Sequence, residues 1–201
     1  MKISNFLKKS IVQTFLSQVI ILLCTVFSIK IISLTIDKES FGAYLVSRRF
    51  IGFMFPIITL NIGISLAYFL PNNKQNAVYI FKNTLILLGI SNCIILLIIS
   101  TMKDTITFLI FGSLDYIDII NPLILLLIVN SFIILLSGYF RGVQNYFKMN
   151  IVNTFFWVIT FLCILFISNV DDIDFLKNYF YLVSTITSIF ISIMLYNIFK
   201  N

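Results

Sequence analysis

The sequence predicts an all-α protein, a polytopic transmembrane helical bundle of about six spans. Three observations predict it. The 201 residues are 60% hydrophobic and only 11% charged, with a mean hydropathy of +1.05, too little polar side chain to clothe a soluble domain of this size. Six long stretches carry no charge at all: 11–29, 50–70, 83–102, 119–140, 151–168 and 178–199. Within them, Ser, Thr, Asn and Gly are scattered without the two-residue alternation of a membrane β-barrel.

Each stretch is about as long as a helix that crosses ~30 Å of hydrocarbon at 1.5 Å per residue. With their flanks, the spans are expected near 11–35, 42–70, 80–102, 119–140, 151–169 and 178–199, all in a single domain over 1–201. The fourth holds 15 residues of the Leu, Ile, Phe and Val type, which favour insertion by about 5–9 kcal/mol. Met1 to Lys9 is short and basic, like the start of a signal peptide. The apolar run that follows is longer than a signal core and no small-residue cleavage site follows it, so a retained first helix is expected. The connectors are too short for an enzyme domain.

Charge placement sets the expected orientation. Lys2, Lys8, Lys9, Lys74, Lys82, Arg141, Lys148 and Lys200 fall on the side of the N-terminus; Lys30, Lys38, Arg48, Arg49, Lys103 and Lys177 fall on the other, with all eight acids. Basic residues favour the cytoplasmic side, so both termini are expected in the cytoplasm. The net charge of +6 comes without a basic run or a nucleic-acid motif, so no nucleic-acid partner is expected. Cys24, Cys93 and Cys163 each sit in an apolar run without CxxC spacing, and the sequence has no His. These cysteines read as small packing residues rather than metal ligands, and no cofactor is expected. No Walker loop, paired carboxylates or Ser/His/Asp set suggests catalysis.

Lys30, Arg48 and Arg49 stand out because they cluster toward the far ends of the first two helices. Two readings are open. They snorkel to headgroups or pair with Asp37 and Glu39; or at least one faces a wet cleft and binds an anion. On a continuous second helix, Arg49, Gly52, Pro56, Gly63 and Ala67 fall within about 60° of one another, whereas Arg48 shares a face with Phe55, Ile62 and Leu66. Small residues mark helix contacts or cavity walls, so Arg49 is the expected inward charge, with Pro56 kinking the helix toward it. Gln13 with Ser17, Cys24 and Ser28, Asn130 with Ser137 and Arg141, and Ser184 with Ser188 and Ser192 form weaker polar stripes. Gln13, Gly52, Pro56 and Asn130 are the cavity-lining candidates.

Two connectors carry a resemblance. Asp37-Lys-Glu-Ser-Phe-Gly-Ala-Tyr44 resembles the K-E-x-F/Y-G-x-Y entry to the second helix of bacterial polysaccharide flippases, and Gly138-Tyr-Phe-Arg-Gly-Val-Gln-Asn-Tyr-Phe-Lys148 resembles their R-G-x-x-x-(F/Y) link between helices four and five. These are the Wzx-type O-antigen transporters, related to the multidrug and toxin extrusion proteins. The resemblance implies movement of an undecaprenyl-pyrophosphate-linked oligosaccharide across the bacterial cytoplasmic membrane. It also implies alternating access between two six-helix lobes and a cationic cavity to which Arg49, Arg48 and Lys30 would contribute. Family members have twelve to fourteen helices, so this chain resembles the N-terminal lobe alone. It would be a truncated product, a fragment, or half of a split or homodimeric transporter. A non-transporting membrane scaffold or degenerate remnant is the alternative.

The orientation has a direct test. Alkaline phosphatase fused after Asn201 is expected to be inactive, and fused after Glu39 active. The reverse pattern would invert the topology.

Overall fold

The computed structural model describes residues 2–167 and 172–200, with side chains from residue 10 onward. It is an all-α bundle with no strand among the described residues. Eight α-helices follow in order: α1 (Lys2–Thr35), α2 (Lys38–Thr59), α3 (Ile62–Phe69), α4 (Ala77–Thr101), α5 (Lys103–Phe111), α6 (Ile117–Gly142), α7 (Tyr146–Phe166) and α8 (Asp172–Lys200). Six segments are long and apolar enough to cross a membrane: Ser10–Thr35, Lys38–Thr59, Lys74–Thr101, Ile117–Gly142, Tyr146–Phe166 and Asp172–Lys200. The protein is thus a multi-pass membrane protein of the expected class. The side chains of Lys2, Lys8 and Lys9, and the segment 168–171 in which the fifth span was expected to end, lie outside the described residues.

Helix polarity explains where the acids sit. α2, α6 and α8 all begin at the end of the bundle away from the N-terminus. Glu39, Asp118, and Asp172 with Asp174 occupy their first turns, where carboxylates offset the positive end of the helix dipole. Asp37 caps α2 by accepting the Ser40 N–H at 2.9 Å. At the opposite end, Asn145 caps α7 through the Lys148 N–H at 3.2 Å, and Arg141 and Lys200 lie in the last turns of α6 and α8.

α6 is the hub. It has the highest mean hydropathy of the six spans, and 72% of its apolar window is buried, against 17% for α1. It packs on α8, α3, α7 and α2. α1 lies chiefly along α7 and barely touches α2, its neighbour in sequence. Two hydroxyl and amide contacts pin the α1–α7 seam: Ser17 to Thr154 at 2.6 Å and Asn150 Nδ2 to Thr14 at 3.1 Å. Asn92 of α4 donates to Ser131 of α6 at 3.0 Å, with both side chains buried. Such contacts contribute about 0.6 kcal/mol each in a bilayer.

The second span departs from expectation. A single helix over 42–70 was expected; instead α2 stops at Thr59 and α3 restarts at Ile62. Leu60 and Asn61 between them are left-handed, at φ 46° and 54°. Pro56 lies inside α2 and has no N–H to extend the ladder. The carbonyls at the broken end need other donors. Ser91 of α4 supplies one, donating to Ile58 O at 2.8 Å. The connector expected over 103–118 is also partly helical, as α5.

The break lets α3 press onto α6 through glycines. A Cβ at Gly138 would come within 2.5 Å of Gly63 O, and one at Gly142 within 2.6 Å of Leu66 O. Backbone therefore meets backbone at this seam, and dispersion over that close contact holds it. Gly63 belongs to this seam, not to a cavity wall headed by Arg49. Gly138→Ala is expected to cost about 1–3 kcal/mol by overpacking. Gly89→Ala, with nothing within 4 Å of the added carbon, should be neutral or slightly stabilising. Melting temperatures in detergent would check the pair, and equal behaviour would refute the seam.

Candidate functional site: a cationic cavity between five helices

α1, α7, α6 and α2 stand as a U in cross-section, with α8 closing its base. Between them lies a cavity of about 460 Å³. Because α1 and α2 barely touch, the gap between them is the open side of the U.

Among the described residues, Arg48 is the one charged side chain on its wall. It lies ten residues into α2, ~15 Å from the start of that helix, at the level of Trp157 near the middle of α7. It is half-buried. Its guanidinium sits 5.8 Å from the Tyr44 ring centroid and 5.7 Å from that of Trp157. Tyr44 is one turn back on α2, and its ring meets Tyr179 of α8 edge-on at 6.1 Å. Among the described residues no carboxylate comes within 4 Å of Arg48; the one ion pair recorded is Lys177–Asp174. The aromatic faces supply about 0.5–2 kcal/mol of cation–π attraction, but they do not neutralise the charge.

The rest of the wall is mixed. Asn130 of α6 is buried, and Asn153 of α7 and Gln18 of α1 are more open. None of the three makes a side-chain hydrogen bond among the described residues. Ser28 Oγ on α1 is buried without a partner. Ile51, Phe55, Phe156 and Phe180 supply apolar surface. The arrangement thus offers a fixed cation, free amides and aromatic faces, which suit an anionic group attached to a polar body.

The cavity sorts the expected site residues. Arg48, Gly52 and Asn130 line it. Arg49 is exposed on the outside of α2, as are Lys30 on α1 and Pro56. The expectation that Arg49 turns inward is therefore corrected: Arg48 does. One continuous helix would carry Gly63 and Ala67 on the face of Arg49, but the break at Leu60–Asn61 removes them from the register of α2. On α2 alone, the inward face is Tyr44, Arg48, Ile51 and Phe55, spaced by four, three and four, and it is bulky rather than small. Gln13 is also corrected. It lines a separate recess of about 530 Å³ at the N-terminal end, beside Gln144 and Asn145, far along α1 from Ser28. Tyr44, Trp157 and Tyr179 are site residues the sequence reading did not single out. The i, i+4 pairing of Tyr44 with Arg48 was a usable signal, since a cation and a ring at that spacing share one face.

The fold and the site together define a multi-pass helical membrane protein with an unneutralised cation in an open intramembrane cavity. No protein-family model, curated protein or solved structure matches the chain.

Trp157 is the only tryptophan, so its fluorescence reports on this cavity alone. Iodide is expected to quench it more strongly than caesium does, because the Arg48 charge concentrates anions there. Arg48→Ala should erase that preference. Quenching by neither ion in the native protein would mean a closed, dry site.

Proposed function

We propose that the protein carries a diphosphate-linked lipid oligosaccharide between the leaflets of the bacterial cytoplasmic membrane, acting as one lobe of a transporter with both termini in the cytoplasm. The observation that supports this most is Arg48, a cation near mid-span with no carboxylate partner among the described residues. An unneutralised charge at that depth is costly unless it has a task, and a diphosphate is the ligand whose charge and acceptor oxygens answer it best. The amides of Asn130, Asn153 and Gln18 and the ring of Trp157 fit hydroxyl-rich sugars. The open side between α1 and α2 offers a lipid tail a way to stay in the bilayer while its head enters. The two connector motifs point the same way.

Size bears on the single-lobe reading. A cavity of about 460 Å³ accepts a group the size of a drug molecule. A longer glycan needs the space that a second lobe or a second copy would add across the open side, as in transporters that place substrate between repeats.

Transport is testable in proteoliposomes holding this chain, with its partner lobe where one exists, and a fluorescent undecaprenyl-diphosphate sugar. Arg48→Ala is expected to slow translocation about 10- to 100-fold, the worth of one charged hydrogen bond. Arg48→Lys should retain part of the activity, and Arg49→Ala nearly all of it. Normal translocation by a well-inserted Arg48→Ala protein would remove the proposed site. Failure of the native chain to translocate under any pairing would favour a scaffold role.

A further inference from the structure

The Arg48 cavity is elongated. Gln18, Ile21, Thr25 and Ser28 form one stripe of α1 and all line it, so it runs ~15 Å along that helix. Two contacts fix how α1 stands against α7. Ser17 meets Thr154 and Thr14 meets Asn150, pairs 137 and 136 positions apart, so the two helices run side by side in parallel. In that register Gln18 is level with Thr154 and Phe155, and Ser28 with Ile164 and Leu165. Trp157, whose ring is 5.7 Å from the Arg48 guanidinium, lies between these levels. Ser28 therefore stands roughly 10 Å beyond the Arg48–Trp157 contact, toward the end of the bundle away from the N-terminus.

The Ser28 hydroxyl is anomalous. The residue is 5% exposed, and its Oγ has no hydrogen-bond partner among the described residues. A hydroxyl in a membrane helix ordinarily donates to the carbonyl three or four residues back. Thr25, Ser33 and Thr35 on the same helix all do so, at 2.8 Å. Ser28 is turned away from that acceptor, and an orphaned hydroxyl costs free energy in an apolar setting. The other two buried side-chain atoms without a partner belong to Asn150 and Thr187, and neither residue lines this cavity. The unused donor and the unneutralised cation thus share one wall, on the two helices that flank its open side.

We propose that Ser28 is a specificity-determining residue of this cavity. Its hydroxyl donates to the second phosphate of a lipid diphosphate whose first phosphate is held by Arg48. The inference rests on the cavity's being an anion site, as proposed above, and adds how that site tells its ligand from the surrounding lipid. Phospholipids carry one phosphate each, and Arg48 alone offers every one of them the same contact. One phosphate is too small to touch both side chains across roughly 10 Å. Two linked phosphates, with a hydrogen bond of ~2.8 Å at each end, span it. The second bond is then available to a diphosphate alone, which is how a fixed pair of groups converts charge recognition into selectivity.

Two probes that differ by one phosphate test this: farnesyl diphosphate and farnesyl monophosphate, titrated calorimetrically into the purified full chain in nonionic detergent. The native protein is expected to bind the diphosphate at least tenfold more tightly. Ser28→Ala should weaken diphosphate binding about tenfold, the worth of one hydrogen bond to a charged group, and leave monophosphate binding unchanged. Ser28→Thr keeps the hydroxyl and should keep most of the preference, and Ser33→Ala, outside the cavity, should change neither affinity. Without ligand, Ser28→Ala should melt no lower than the native protein, because it removes a hydroxyl that nothing in the fold satisfies. An undiminished preference in Ser28→Ala, an equal loss for both probes, or a lowered melting temperature would overturn the role of Ser28 while leaving Arg48 as an anion site. Binding of neither probe by the native protein would overturn the anion-site reading itself, and this inference with it.

Discussion

Hydrocarbon offers no hydrogen-bond partners, and that one constraint organises the molecule. Every polar group placed between the membrane faces must find its partner inside the protein. Most do so locally. The hydroxyls of Thr25, Ser47, Thr59 and Ser184 each donate to the carbonyl four residues back, at 2.7–2.8 Å. Others bridge helices, as Asn92 does to Ser131. Where the second span breaks at Leu60–Asn61, Ser91 reaches across from α4 to one of the freed carbonyls. Three buried side-chain atoms among the described residues lack a partner, Ser28 Oγ, Asn150 Oδ1 and Thr187 Oγ1, and the first of them shares one cavity with Arg48 and Asn130.

The break and the cavity depend on each other. Ending α2 at Thr59 frees α3 to lie against α6 with Gly63 on Gly138. That contact holds the lower half of the second span to the hub. The upper half, bearing Tyr44 and Arg48, leans on α6 while leaving a gap to α1. A straight helix through 42–70 would force one line of contact on both halves.

Much of the fold was legible from composition. Five of the six charge-free stretches each fall on one span, and the second is divided between α2 and α3; transfer into lipid is a sum over many residues, and one misjudged residue hardly changes it. The acids at helix starts were legible as a side preference. The break was not: Leu60 and Asn61 are ordinary in sequence, and only Pro56 hinted at it. That local miss propagated into the choice of Arg49 over Arg48, since one residue is 100° on a helix. The small-residue rule also misled, because the glycines at 63, 138 and 142 serve backbone contact while the cavity is walled by rings. Which aromatic side chains meet the guanidinium depends on how α7 and α8 pack, and both helices lie far along the chain from α2.

The pairing of α1 with α7 has a consequence for biogenesis. Ser17 and Thr154 touch across 137 positions of chain. At ~5–20 residues per second, the first helix waits about 7–27 s after synthesis before its partner exists. During that interval its Thr14 and Ser17 hydroxyls face acyl chains or whatever insertion machinery shelters them. A ribosome that stalls before the fifth span would leave α1 without its main support, and such an intermediate is a natural target for membrane quality-control proteases.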